Sequence, residues 1–200
     1  KAVKQSVLDK HFPLFSIVTI TKDNCEGLKK TMHSVDAQTF TDFEWIVIDG
    51  KSTDGTLDVL RERRSETRTA QNPFRFISEY DEGIYDAMNT GISEARGHYI
   101  LFLNAGDELA SPDILEIIEP CAVKKPEFIY GDALEPLKNG KAELKPARRY
   151  KELPWGMITH HQAMFYRRHS IRDFKLSYSL LYDVAADYDF TVRFLLHAKK

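Results

Sequence analysis

Four short apolar runs in the first half of the chain each end in polar residues. These ends are Thr19-Ile-Thr-Lys-Asp23, Asp49, Glu79-Tyr-Asp81 and Asn104-Ala-Gly-Asp107. If the runs are strands of one open α/β sheet, their carboxyl ends share an edge, and that edge is where such sheets bind ligands. Carboxylates gathered there repel one another unless something compensates them. A divalent cation does so naturally, because Mg²⁺ is usually held by one or two carboxylates together with substrate phosphates. An acidic edge with a metal suits a nucleoside diphosphate that carries a leaving group, the metal neutralising charge on the departing phosphates. No G-x-G-x-x-G follows the first run and no G-x-x-x-x-G-K-[ST] occurs. The dinucleotide-binding and P-loop routes to phosphate are thereby disfavoured.

The elements that must position these ends are legible from periodicity. Phe15–Ile20, Phe43–Ile48, Phe74–Ser78 and His98–Leu103 read as strands. Helical spacing covers Cys25–Gln38, a stretch opened by Ser52-Thr-Asp-Gly55, and Ile84–Ala95. This alternation predicts βαβ units and a mainly parallel central sheet with helices on both faces. Beyond Gly106 the pattern loosens. Ser111-Pro112 predicts a helix start, with a hydroxyl N-cap and Pro at the first helical position. Phe128–Leu134 reads as a strand, and Asn139-Gly140 as a hairpin turn before Lys141–Lys145. Arg148–Thr159 reads as irregular, Gln162–Tyr166 as a strand and Asp187–His197 as a helix. The expectation is a single α/β domain over residues 1–200, with a ligand-binding half up to residue 110 and a less regular half from 111.

With 28 Lys and Arg against 30 Asp and Glu, the net charge is -2, which argues against nucleic-acid binding through a bulk basic field. Two cysteines, Cys25 and Cys121, cannot build a disulfide framework, fit a reducing compartment and read as small buried residues. No apolar run approaches the roughly 20 residues of a membrane span, and the lysine-rich start has no signal-peptide core behind it. The sequence begins at Lys1 and stops at Lys200 within a helical pattern, so it reads as a fragment.

Four motifs in order carry a family resemblance: Phe15-Ser-Ile-Val-Thr-Ile20, Trp45-Ile-Val-Ile-Asp-Gly-Lys-Ser-Thr-Asp-Gly-Thr56, Asp81-Glu-Gly-Ile-Tyr-Asp-Ala-Met-Asn-Thr-Gly-Ile92 and Leu101-Phe-Leu-Asn-Ala-Gly-Asp107. Together they resemble family 2 glycosyltransferases of the GT-A fold, in particular the bacterial exopolysaccharide, colanic-acid-type branch. His160-His-Gln-Ala-Met-Phe165 and Ala186-Asp-Tyr-Asp-Phe190 extend the match more weakly. The resemblance implies an inverting transfer from a nucleotide-sugar, often a UDP-sugar, with Mg²⁺ or Mn²⁺, to a saccharide or lipid-linked saccharide. It implies a cytoplasmic location at the inner membrane face, with peripheral membrane contact. Residue by residue, it implies nucleotide contact by Thr19 or Thr21 and by Asp49, and Asp81 and Asn104 at the strand ends are further candidates for nucleotide-sugar contact. Asp107 resembles the metal ligand and Asp187 the base that deprotonates the acceptor. His161 and Gln162 resemble an element near acceptor and leaving group. The chain departs from the family at Gly50, where a second acid is usual, at Asn104 and Gly106 in the DxD element, and at Ala186, which replaces a Glu.

Each of these residues also has a plainer reading. Asp49 and Asp81 could cap the turns that follow them, and Asp54 reads first as a helix cap. Asn89 is favoured as a nucleotide-sugar contact over Asp86 because Asn is a poor helix former. Asp187 is favoured over Asp189, which the helix macrodipole also suits. His160 and His161, adjacent on a strand, would point to opposite faces and so could not share a metal. Arg148-Arg149 with Lys145, Tyr150 and Trp155 is either a solvated face or a surface for an anionic lipid-linked acceptor. Two further functions stay open: a nucleotide-sugar-binding module without transfer, and a nucleotidyltransferase. The second would need a glycine-rich, basic loop after the first strand, and Thr21-Lys-Asp-Asn-Cys-Glu-Gly27 holds one Lys and one Gly.

Overall fold

The computed structural model describes residues 12–66 and 73–198. The lysine-rich start and the chain end lie outside the described residues. Seven-residue strands β1 (Phe15–Thr21) and β2 (Phe43–Asp49) are buried along their whole length. With β3 (Phe74–Ser78) and β4 (Tyr99–Phe102) they form a parallel unit in the order β3-β2-β1-β4. β8 (Met164–Arg167) joins β4 antiparallel, and β5 (Phe128–Tyr130) joins β8. Chain direction through the sheet therefore reverses its order of progression at β1, which has β2 on one side and β4 on the other. The crevice this opens lies at the carboxyl ends of β1 and β4.

Alternate strand residues face opposite layers. Ile17, Trp45, Val47 and Leu101 pack under α1 (Cys25–Asp36), α2 (Thr56–Glu66) and α4 (Ile114–Ala122) through Leu28, Leu60 and Leu115. Val18, Ile46, Ile100 and Phe102 pack under α3 (Ile84–Glu94), α5 (Arg168–Asp173) and α6 (Ala186–Ala198) through Met88, Ile171, Phe190 and Phe194. Gly91 lets α3 lie directly on β1, since a Cβ there would collide with Val18. No helix among the described residues is long and apolar enough to cross a membrane.

Several boundaries differ from the sequence pattern. The helix expected at Ser111-Pro112 begins at Ile114, because the Ser111 hydroxyl is used on Asp113 rather than on a backbone N–H. The strand expected over Phe128–Leu134 breaks at Gly131-Asp132 into β5 and β6 (Ala133–Pro136), and β6 pairs with β7 (Ala142–Lys145) through the Asn139-Gly140 turn. The irregular stretch holds a 3-10 turn, Tyr150–Trp155. His160 and His161 are not on a strand: a 3-10 turn, His161–Ala163, precedes β8. α5 lacked enough periodicity to be seen. Cys121 is exposed rather than buried.

Candidate active site

The crevice between β1 and β4 is braced from α1. The Thr31 hydroxyl accepts from Gly106 N (3.0 Å) and lies 2.7 Å from the Asp107 carbonyl and 3.2 Å from that of Asn104. Asn24, the N-cap of α1, accepts from Gly27 N and donates to the Ala105 carbonyl at 2.9 Å. Asn104 to Asp107 is thus a short loop held in one shape by side chains outside it. Neither Thr31 nor Asn24 was singled out in the sequence. A hydroxyl on the apolar stripe of α1 was the only trace of Thr31.

The residues expected at the site fall into two groups. At the β1–β2–β3 end, Asp49 is fully buried, and its carboxylate accepts from the Ser52 hydroxyl (2.5 Å), the Ser78 hydroxyl (2.6 Å) and Ser52 N. It ties the ends of β2 and β3 together. Asp81 accepts from Gly83 N (3.1 Å) and lies 4.0 Å from Lys22 Nζ. Thr19 and Thr21 part ways. Thr19 accepts from the Trp45 indole N–H at 2.9 Å within the core, whereas the buried Thr21 hydroxyl has no partner among the described residues. Of the two hydroxyls, only that of Thr21 is left with hydrogen-bonding capacity unused among the described residues.

At the β4 end, Asn104, Asp107, His161, Gln162 and Asp187 come together from three parts of the chain. Gln162 donates its amide N–H to Asp107 Oδ2 at 2.8 Å. The Asn104 amide nitrogen stands 3.2 Å from His161 Nε2, and His161 Nδ1 stands 4.0 Å from Asp187 Oδ2. An amide N–H₂ can only donate, so this pairing requires Nε2 to accept and a neutral ring to carry its proton on Nδ1; the opposite amide orientation pairs with the other tautomer. Burial pushes the His161 pKa below its ordinary value, against the opposing pull of Asp187 and Asp107. The amide oxygens of Asn104 and Gln162 are buried without partners among the described residues.

Asp187 sits in the first turn of α6, where a carboxylate is favoured by the helix dipole. The residue before this helix, Ala185, adopts a positive φ of 71°, a conformation that costs a non-glycine residue energy and here aims the helix start. Burial raises the Tyr85 pKa, and the charge of Asp187 raises it further. The third motif therefore reaches the base candidate through its tyrosine, a link the sequence did not reveal. Asn89 takes a different place from the one expected. Both ends of its amide are engaged with the Tyr178 backbone, Nδ2 on the carbonyl at 3.0 Å and Oδ1 on the N–H at 2.7 Å. Asp189 is spent on Arg193. Asp54 accepts from Thr56 N and Cys25 N, joining two helix starts as a cap does.

A cleft of about 440 Å³ opens onto Asp187 and His161, with Glu135, Lys145, Arg148 and His160 among its walls. A second, of about 520 Å³, lies at the starts of α1 and α2. Its walls carry Asp23, Glu26, Asp54 and Asp58 against Lys29 alone, a poor setting for a diphosphate.

No group of three or more His, Cys, Asp or Glu side chains suited to a metal occurs among the described residues. Asp107 offers carboxylate oxygens, one of them already bonded to Gln162, and no nitrogen or sulfur ligand. That is the donor type Mg²⁺ and Mn²⁺ take when diphosphate and water complete the shell.

This order of elements and this edge define an open, mainly parallel α/β domain that binds at the carboxyl ends of its strands. The family model for glycosyl transferase family 2 matches residues 16–184. A PGL/p-HBAD biosynthesis glycosyltransferase of Mycobacterium tuberculosis is 34% identical over 195 residues, covering 90% of this chain and 69% of that protein. Among solved structures, TarS of S. aureus superposes with a TM-score of 0.70 at 20% identity, over 92% of this chain and 55% of that one. The mannosyltransferase PcManGT from Pyrobaculum calidifontis, in complex with GDP-Man and Mn²⁺, gives 0.69 at 18%, over 92% and 52%. The chain thus spans about half the length of the solved structures it matches. It belongs to glycosyl transferase family 2, and its fold is GT-A.

Proposed function

We propose that this domain transfers a sugar, with inversion, from a nucleotide-sugar to an acceptor hydroxyl in the assembly of a bacterial cell-surface polysaccharide or glycolipid. The observation that supports the reading is the run of contacts from the Asn104–Asp107 loop through Gln162 and His161 to Asp187, the last two of which, His161 and Asp187, line an open cleft. Asp187 takes the proton of the acceptor hydroxyl. The acceptor oxygen bonds to the anomeric carbon as the bond to the diphosphate oxygen breaks, and the electron pair leaves with the diphosphate. His161 presents its Nδ1 proton to the Asp187 carboxylate and so fixes its direction. Thr21, Lys22 and Asp81 bind the nucleotide, with Asp49 shaping the β2 end beneath them. Asp107 would hold a Mg²⁺ or Mn²⁺, which when bound would supply positive charge against the departing diphosphate.

A UDP-sugar is the preferred donor. One solved relative of the fold, TarS, was captured with UDP-GlcNAc and another, PcManGT, with GDP-Man, so both bases belong in the test. Residues 15–110 serve the donor and residues 111–198 the acceptor, on the cytoplasmic side.

Calorimetry with UDP and GDP, each with and without Mn²⁺, tests the donor site. Micromolar binding that needs Mn²⁺ and is lost in Asp107→Ala supports it. Absence of binding under every condition overturns it. Donor binding with no turnover on any saccharide acceptor favours a binding module instead.

A further inference from the structure

Tyr166 places a hydroxyl deep in an aromatic part of the core. Its ring is 1% exposed and lies among Phe128, Phe190 and Phe194, with centroids 5.1, 5.2 and 5.3 Å away. A phenylalanine would fill the same space without taking a polar group out of water. The hydroxyl stands 2.7 Å from Thr191 Oγ1 and 3.1 Å from Met164 Sδ, a weaker acceptor. Thr191, also fully buried, has its Oγ1 2.7 Å from the Asp187 carbonyl oxygen. That carbonyl can only accept, and Thr191 has one proton to give. Both short contacts are hydrogen bonds in one arrangement alone: Tyr166 donates to Thr191, and Thr191 donates to Asp187. Burial pushes the Tyr166 pKa far up, so the hydroxyl keeps the proton this arrangement needs.

The two ends of this hydrogen-bond chain belong to the two elements that meet at the cleft. Tyr166 lies on β8, which starts at Met164, directly after the His161–Ala163 turn. Thr191 lies one turn after Asp187 on α6. Asp187 Oδ1 accepts from Tyr188 N at 2.8 Å, which ties the carboxylate to the helix backbone, and Oδ2 stands 4.0 Å from His161 Nδ1. Whatever fixes the backbone of Asp187 therefore fixes its carboxylate against His161. Stability gives no reason for the hydroxyl pair, since two bonded partners replaced by apolar groups of the same shape cost little.

We propose that Tyr166 and Thr191 are positioning residues: their hydroxyls brace β8 against the first turn of α6 and so set the Asp187 carboxylate against His161. Being fully buried, they act through Asp187 and not on a substrate. That the braced carboxylate serves as the base rests on the proposed function; the brace itself does not.

The test compares Tyr166→Phe, Thr191→Val, the two combined, and Thr191→Ser. In ¹H–¹⁵N spectra of the histidine rings, Asp187→Asn defines how the His161 resonances move when the carboxylate charge is removed. Tyr166→Phe, Thr191→Val and the double variant should each move them in that same direction, with Thr191→Ser at the parent position. The double variant should shift less than the sum of the two single ones, because the hydroxyls act as one chain. Its melting temperature should stay within about 4 °C of the parent's. Release of nucleotide from a bound sugar nucleotide should fall about tenfold or more in kcat, at unchanged UDP or GDP affinity. His161 resonances that keep the parent position in the double variant overturn the proposal. So does a Thr191→Ser protein that behaves like Thr191→Val, which would make the shape of the side chain and not its hydroxyl the cause. The expected spectral shifts in a protein without turnover would support the brace and overturn the proposed function instead.

Discussion

Gly50 and Asp81 occupy one space: a Cβ built on Gly50 would lie 2.5 Å from Asp81 Oδ2 and 3.1 Å from Lys22 Cδ. The position where the family usually carries a second acid after Asp49 is here given up, and the carboxylate that arrives beside it comes from the loop after β3. Gly50→Ala must push Asp81 and Lys22 outward. UDP or GDP affinity by calorimetry should fall about tenfold while the fold persists. An unchanged affinity would remove Asp81 from the nucleotide site.

Asp187→Asn keeps the size of the side chain and removes its basicity. Turnover should fall by about 10²–10⁴, the usual worth of a general base, with nucleotide affinity kept within about twofold. Steady-state transfer assays beside calorimetry separate the two effects, and full turnover in the variant would reassign the base.

Asn104→Asp replaces an amide that donates to His161 Nε2 with a carboxylate that can only accept. The ring proton should then move to Nε2 and away from Asp187. Long-range ¹H–¹⁵N spectra should show a protonated Nδ1 in the parent protein at pH 7.5 and a protonated Nε2 in the variant. A parent ring already protonated on Nε2 would contradict the arrangement described above.

At the opposite end of the sheet, Glu44 is a stability prediction independent of catalysis. Burial alone would raise its pKa, but hydrogen bonds from Ser16, Arg75 and Arg96 N outweigh it and hold the carboxyl below its ordinary 4.5. Its stabilising contribution is therefore complete above pH 4.5 and is lost as pH falls through the lower folded value. Glu44→Gln should cost about 3 kcal/mol at pH 7, the low end for a broken buried pair because Arg75 keeps 24% of its side chain in water. Urea titrations should show the gap between the two proteins narrowing below pH 4.5.

The first 110 residues were readable because strands buried on both faces spell continuous apolar runs, and their carboxyl ends follow from topology alone. Asp107 and Asp187 could be proposed from motif and position. The partnership of Thr31 with the Asn104–Asp107 loop could not, because it joins residues about 75 positions apart through one hydroxyl. Asn89 drew attention for the right reason, an amide in an unfavourable helical position. Its partner is nonetheless backbone, because a bidentate amide satisfies a loop as well as it satisfies a ligand. The second half was harder because its strands have only three or four residues, too few for a period to show.

The Asn89 clamp on Tyr178 has a mechanical consequence. Tyr178 also stacks on Phe190 of α6, with ring centroids 4.4 Å apart, and on Tyr85 of α3 at 5.7 Å. One aromatic residue thereby rivets α3, on the parallel strands, to α6, which carries Asp187. Heat or denaturant finds no weak seam there, and the two halves should melt in a single transition. A chain cut near residue 110 would leave α3 with a sticky, uncovered flank.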